Sequence, residues 1–182
     1  MQKFTFLKFW FLLTIVATTM SGLVYLTAQQ SLRHSANDPQ IQIAEDVARA
    51  LQNGKQPSDF NTTEKIDMGK SLSTFVTIYD NQGIPVAGTG QLNNNLPSLP
   101  SGVFQFTKSF GEDRVTWQPE SELRFALVIV HYTNGFVAVG RSMREVEIRE
   151  NRTFQFVLLA WLATIFTTLV VAFVLDKIKI FN

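Results

Sequence analysis

Any chemistry this chain performs must come from a short set of side chains. It has two histidines, His34 and His131, and no cysteine, which removes disulfides, thiolate metal sites and thiol nucleophiles together. No H-x-x-x-H, H-E-x-x-H, G-x-S-x-G or phosphate-loop spacing occurs. Glu112 and Asp113 are adjacent acids at an expected hairpin turn, where solvated surface is the ordinary explanation. No nucleophile, base and orienting group fall into a recognised pattern. Catalysis, a metal site and a cofactor are therefore not expected.

Binding is the better-founded expectation. Pockets join mostly apolar walls to a few convergent polar groups. Tyr79, Arg114, Trp117, Arg124, His131 and Tyr132 lie on expected strands and are the candidate ligand-binding residues. Arg114 or Arg124 would hold a carboxylate through a two-pronged guanidinium contact. Trp117 would stack on an aromatic or cationic ligand. A plainer reading stands beside this one, because strands alternate faces: each arginine points to water and Trp117 is core.

Two apolar segments frame these residues. Phe9 to Ala28 carries no charge over roughly 20 residues, and Thr153 to Leu175 none over roughly 23. At about 1.5 Å of rise per residue, either helix crosses a hydrocarbon core of about 30 Å. The first is read as an uncleaved anchor. It exceeds the h-region of a signal peptide, and Leu26-Thr27-Ala28 puts a large side chain where cleavage wants a small one.

Basic residues set the orientation. Lys3 and Lys8 precede the first span and Lys177 and Lys179 follow the second, which places 1–8 and 176–182 in the cytoplasm and 29–152 outside it. Arg141, Arg144, Arg149 and Arg152 oppose that assignment by crowding the outer side of the second span. The first helix usually dominates, and long loops translocate largely regardless of charge. A net charge of +1 gives no clustered basic face for nucleic acid. Ala17-x-x-x-Ser21, Thr18-x-x-x-Gly22 and Ala160-x-x-x-Thr164 place small residues four apart, a spacing that lets membrane helices approach closely and allows a homodimer.

Between the spans, Ile41, Ala44, Val47, Ala48 and Leu51 recur at helical spacing. Asn37 or Asp38 serves as cap, Pro39 as first helical residue and Gly54 as stop. The residues before that cap can prolong the membrane helix by one or two turns. A polar, turn-prone stretch follows, with room for one helical turn. The period then changes to β. FVTIY leads into the turn Asp80-Asn81-Gln82-Gly83, and Pro85 assigns the next strand to an edge. After a long irregular connection, VFQFTKSF and DRVTWQ read as a hairpin about Gly111. LRFALVIVHY reads as a central strand covered on both faces. Asn134-Gly135 is a hairpin turn, FVAVG closes the sheet, and RSMREVEIRENR is a charged helix entering the second span. Its Arg141–Glu145, Glu145–Arg149 and Arg144–Glu147 pairs are spaced to meet along one surface. The expected class is α+β: a mainly antiparallel sheet with helix on one face and a long N-terminal helix, flanked by two transmembrane helices.

A helix leaving the membrane, the strand-turn-strand YDNQGIPVAG, a late antiparallel run and the exit helix GRSMREVEIRE together resemble the extracytoplasmic PAS-like (Cache or PDC-type) sensor domains of bacterial receptors. Those receptors include sensor histidine kinases and chemoreceptors. The resemblance implies that the opening hairpin supplies the first two strands of a sheet backing a ligand pocket. It implies binding of a small molecule or a partner's sensor domain, and action through other membrane signalling proteins. Only DKIKIFN follows the second span here, too short for an output domain. An accessory or assembly subunit without a ligand is the alternative expectation.

Overall fold

The amphipathic stripe Ile41–Leu51 forms a helix because its apolar residues return every three or four positions, and only that face can be buried. In a computed structural model, described over residues 3–35 and 38–180, the elements run in the following order. Helix α1 spans Lys3–Ser35 and α2 Asp38–Gln52, and a short 3-10 turn occupies Pro57–Phe60. Strands β1 (Ile66–Asp67), β2 (Phe75–Asp80), β3 (Pro85–Gly88) and β4 (Gly90–Gln91) precede helix α3 (Ser101–Phe110). Strands β5 (Glu112–Glu120), β6 (Leu123–Tyr132) and β7 (Gly135–Ser142) lead into helix α4 (Arg144–Ile180). The cap considered at Asn37 lies outside the described residues.

The chain divides into two units, Arg33–Glu147 and Met1–Leu32 with Ile148–Asn182. The first is built on a five-stranded antiparallel sheet ordered β3-β2-β7-β6-β5. The mixed helix-and-sheet class, the antiparallel sheet and the long N-terminal helix are as expected. Pro85 opens the edge strand β3. Asp80 Oδ1 accepts the Gln82 and Ile84 amides at 2.8 and 2.9 Å, and Gly83 closes the turn on the Asp80 carbonyl at 3.0 Å. Gly83 has φ +80°, a conformation glycine adopts at little cost.

Four expectations are corrected. VFQFTKSF is helix, not strand: Pro100 caps α3, Gly111 ends it with φ +86°, and the Gly111 amide reaches the Thr107 carbonyl at 2.7 Å. FVAVG does not close the sheet. It lies at the centre, because β2 returns to pair with β7 from Phe75↔Gly140 to Asp80↔Gly135. Helices cover both faces rather than one. A two-residue parallel pair joins β1, in the polar turn-prone stretch, to β4, in the connection read as irregular.

Alternation along the strands gives the faces different fillings. On one, α2 sets Ala44, Val47, Ala48 and Leu51 against Ile78, Val128, Val137, Val139 and Tyr132. On the other, Phe104 of α3 joins Phe75, Tyr79, Phe125, Phe136, Leu99 and Met68. The rings meet at 5.0 Å for Tyr79–Phe104 and for Phe104–Phe136, in tilted arrangements that suit aromatic quadrupoles.

In the second unit, the apolar segments of α1 and α4 are long and apolar enough to cross a membrane, with mean hydropathies of 1.8 and 2.5. None of either apolar window is buried within the protein. A core helix of a soluble fold would be. Trp161 Nε1 donates to Thr18 Oγ1 at 3.0 Å, and Tyr25 meets Phe154 edge-on at 5.5 Å. These two contacts run in opposite order along the helices, so the helices are antiparallel. Trp10, Thr14, Ala17, Ser21 and Tyr25 form the half-buried stripe of α1, while Gly22 is exposed. Ala17-x-x-x-Ser21 thus lies on the shielded stripe, and Gly22 of Thr18-x-x-x-Gly22 lies off it.

Candidate functional site

The period of two that makes a strand also separates the six candidate residues. Tyr79, Trp117 and His131 share the parity of the α3 face; Arg114, Arg124 and Tyr132 share that of the α2 face. One pocket walled by all six does not form. Tyr79 is fully buried, and its hydroxyl donates to the Pro97 carbonyl at 2.8 Å. Burial pushes its phenol well above the ordinary tyrosine range, because the anion would lose its water. Trp117 is half-buried against Phe125, with ring centroids 5.7 Å apart. His131 packs on Phe136 at 5.1 Å and donates its amide to the Gly111 carbonyl at 3.0 Å. Tyr132 is part of the aliphatic core. Burial raises its pKa, and the Asp80 carboxylate adds to the rise.

Arg114 and Arg124 do come together. Helix α2 packs chiefly on β6 and β7. Past its shelter, the α2 face turns polar, and Arg114, Thr116 and Gln118 alternate outward along β5. There an open cleft of about 270 Å³ is lined by Arg33, Arg114, Thr116, Arg124, Ala126 and Met143. Three arginines therefore line one concavity together with the buried Ala126 and Met143. Thr116 Oγ1 lies 3.8 Å from Met143 Sδ.

Two carboxylates already engage these arginines. Glu112 pairs with Arg114 along β5. Glu147, in the first turns of α4, pairs with Arg124 at 3.1 Å. Gln118 Oε1 accepts from Arg124 Nε and Nη2 at 3.4 and 3.2 Å, fixing the guanidinium plane. The Met143 amide donates to the Arg124 carbonyl at 2.8 Å, and the Glu147 amide to the Met143 carbonyl at 2.9 Å. Strand β6 thus holds the start of α4 through backbone and side chain together. The helix pairs expected for Arg141 and Arg144 are replaced. Arg141 lies in β7, where it has no helical neighbours, and Arg144 Nη2 donates to the Lys70 carbonyl at 3.2 Å.

Sequence reasoning missed Arg33, Thr116, Met143 and Glu147. Arg33 stands in the last turn of α1, remote in sequence from β5, and no spacing rule connects them. Glu147 had a visible charge but a misassigned partner. Among the described residues, no cluster of His, Asp and Glu is arranged to hold a metal ion. The cleft can bind an anion, by charge-assisted hydrogen bonds from planar guanidiniums. No protein-family model, curated protein or solved structure matches the chain.

Proposed function

We propose that this chain is a membrane-anchored, sensor-like module. Its PAS-like domain, outside the cytoplasmic membrane, binds an anionic small molecule or an acidic partner segment at the arginine cleft and acts through other membrane proteins. The observation that carries the reading is the joint between cleft and helix. Arg124, on the cleft wall, grips Glu147 of α4, and α4 continues unbroken from Arg144 to Ile180.

An anion arriving at Arg124 competes with Glu147 for the same guanidinium. The resident pair is about half exposed, and such pairs contribute only about 0.2–1 kcal/mol. Exchange is therefore thermodynamically easy. Once released, the first turns of α4 lose their side-chain tie to the sheet, and a continuous helix transmits that change along its axis. A ligand acts on an equilibrium only through differential affinity for its states, and this competition supplies the difference. Signalling partners, a second copy among them, belong to the same proposal.

The placement outside the cytoplasm is tested by a single cysteine, Asn94→Cys, in this cysteine-free chain. A membrane-impermeant maleimide should label it in intact cells; labelling only after lysis would reverse the orientation. Binding is tested by thermal shift of the full chain in nanodiscs of phosphatidylcholine, against carboxylates, acidic amino acids and inorganic phosphate. A ligand at a hundred times its Kd stabilises by about 2.7 kcal/mol, a shift of several degrees for a domain of this size.

A second reading, an accessory subunit without a small-molecule ligand, is favoured by one observation. The space between α3 and the sheet is filled by Phe75, Tyr79, Phe104, Phe125 and Phe136, and the Tyr79 hydroxyl is already satisfied by Pro97. Silence across the anion panel from a well-folded protein would select it.

A further inference from the structure

Arg33 of the cleft and Glu147, the partner of Arg124, each lie close to an apolar segment along a single helix. Arg33 stands five residues beyond Ala28 on the single helix α1, about 7.5 Å at the rise of an α-helix. Glu147 stands six residues before Thr153 on the single helix α4, about 9 Å by the same rise. The hydrocarbon core is about 30 Å thick and the whole bilayer about 40–45 Å, which leaves a headgroup layer of roughly 5–8 Å on each side. Arg33 on α1 and Glu147 on α4 therefore each stand within about two helical turns of an apolar segment, at or just above the depth of lipid phosphates.

We propose that the Arg33–Arg114–Arg124 cleft binds the phosphate of an anionic lipid headgroup from the membrane that α1 and α4 span. This deepens the proposed function, and rests on its reading of two spans and an anion site, by naming the anion. Guanidinium planes match the non-bridging oxygens of a phosphodiester as they match a carboxylate. Ala126 and Met143, buried apolar residues in the lining, suit the glycerol end better than a fully hydrated ion. Glu112 and Glu147 hold their arginines in half-exposed pairs, the kind that a neighbouring anion readily exchanges. The membrane presents that anion at a high effective concentration, because the protein is tethered to it.

The proposal also accounts for a feature that runs against topology. Arg149 and Arg152 follow along α4, exposed, on the side of the span where arginines are ordinarily scarce. Arginines at headgroup depth are retained there if phosphate is their partner.

The test uses the full chain, reconstituted in an equal mixture of phosphatidylcholine and phosphatidylglycerol, extracted into mild detergent and examined by native mass spectrometry. Phosphatidylglycerol should be retained over phosphatidylcholine. The double variant Arg114→Gln/Arg124→Gln should lower that retention by about tenfold, since each lost contact is a charge-assisted hydrogen bond. Lys108→Gln, exposed on α3 across the sheet from the cleft, should leave it within about twofold. The charge-preserving Arg114→Lys/Arg124→Lys guards against loss of the fold; it should give an intermediate loss with an unchanged melting temperature. Retention equal in wild type and both double variants would overturn the proposal. So would equal retention of the two lipids. If inorganic phosphate or succinate then stabilised the protein in neutral nanodiscs, with that effect abolished by the same variants, the cleft would stand as a soluble-anion site and only the lipid assignment would fall. Failure of lipid and soluble anions alike would overturn both readings.

Discussion

The two faces of the five-stranded sheet are built from the same strands and do opposite things. The α3 face is closed. Aromatic rings from β2, β6, β7 and α3 interlock there, and the Tyr79 hydroxyl that reaches into it is tied to a backbone carbonyl. The α2 face is closed where α2 lies over β6 and β7 and where Ile78 of β2 and Ala87 of β3 join the same core. Along β5 it opens, and the apolar core gives way to a cleft lined by arginines. The difference follows from reach. Helix α2 is 15 residues long, and a helix about 10 Å wide covers roughly two strands spaced 4.7–4.9 Å apart. A five-stranded sheet therefore cannot be sealed on that side by one helix. On the edge strand β5 the side chains of this face turn polar and exposed. The packed face supplies stability, and the open margin holds the cleft to which recognition is assigned in the proposed function.

That division can be broken by mutation, and its ends should answer on different scales. Phe104→Ala removes the ring that bridges Tyr79 and Phe136 and should cost about 3–5 kcal/mol, read as a fall in the denaturation midpoint of the full chain. A cost below 1 kcal/mol would mean that the α3 face is not the closed core described here. Gly83→Val comes next. A Cβ at Gly83 lies 2.7 Å from the Phe104 ring, and the backbone there has φ +80°. Conformational strain and overpacking together should cost about 2–3 kcal/mol. An unchanged melting temperature would remove both this turn and its contact with α3 from the account.

Tyr79→Phe is subtler. It deletes the hydrogen bond to Pro97 and should cost about 1 kcal/mol at neutral pH. It also changes the alkaline limb. Tyr79 holds its proton more tightly folded than unfolded, so its contribution is full below the ordinary tyrosine value of about 10 and is lost as pH rises above it. The parent should lose stability steeply above that value and the variant less so. Tyr132, whose pKa is raised in the same direction, keeps part of the slope. Parallel profiles for parent and variant would contradict the burial of the phenol.

At the small end, Arg124→Ala or Glu147→Gln should shift stability by under 1 kcal/mol, since the pair is half exposed. Both should nonetheless abolish any coupling between cleft and helix. A stability loss above 2 kcal/mol from either would mark the pair as core structure rather than an exchangeable latch.

Much of the fold was legible because periodicity and turn chemistry are local. The stripe Ile41–Leu51, the Asp80–Gly83 turn, Pro85 at an edge and the whole strand Leu123–Tyr132 came directly from residue pattern. Helix α3 was misread because Val103, Phe104 and Phe106 imitate alternation over a short run. Its brackets, Pro100 before and Gly111 after, were the better signal. The central position of β7 was invisible because it depends on β2 returning across roughly sixty residues, a pairing no local rule encodes. For the cleft, Arg114 and Arg124 were picked for their chemistry, but their grouping with Arg33 and Glu147 was not. It arises only when the last turn of α1 and the first turns of α4 are brought to one strand edge. Tyr79, Trp117 and His131 were picked for the same reasons and fell on the opposite face. Residue type names candidates, and strand parity decides which of them can meet.

The most direct test is amide hydrogen exchange on the full chain, compared between nanodiscs of phosphatidylcholine alone and nanodiscs with phosphatidylglycerol added. Occupancy of the cleft should slow exchange over residues 112–126 and quicken it over 144–150, as Glu147 gives up Arg124. Slower exchange over 112–126 with 144–150 unchanged would leave a binding site unconnected to α4, and would contradict the coupling on which the sensor reading stands.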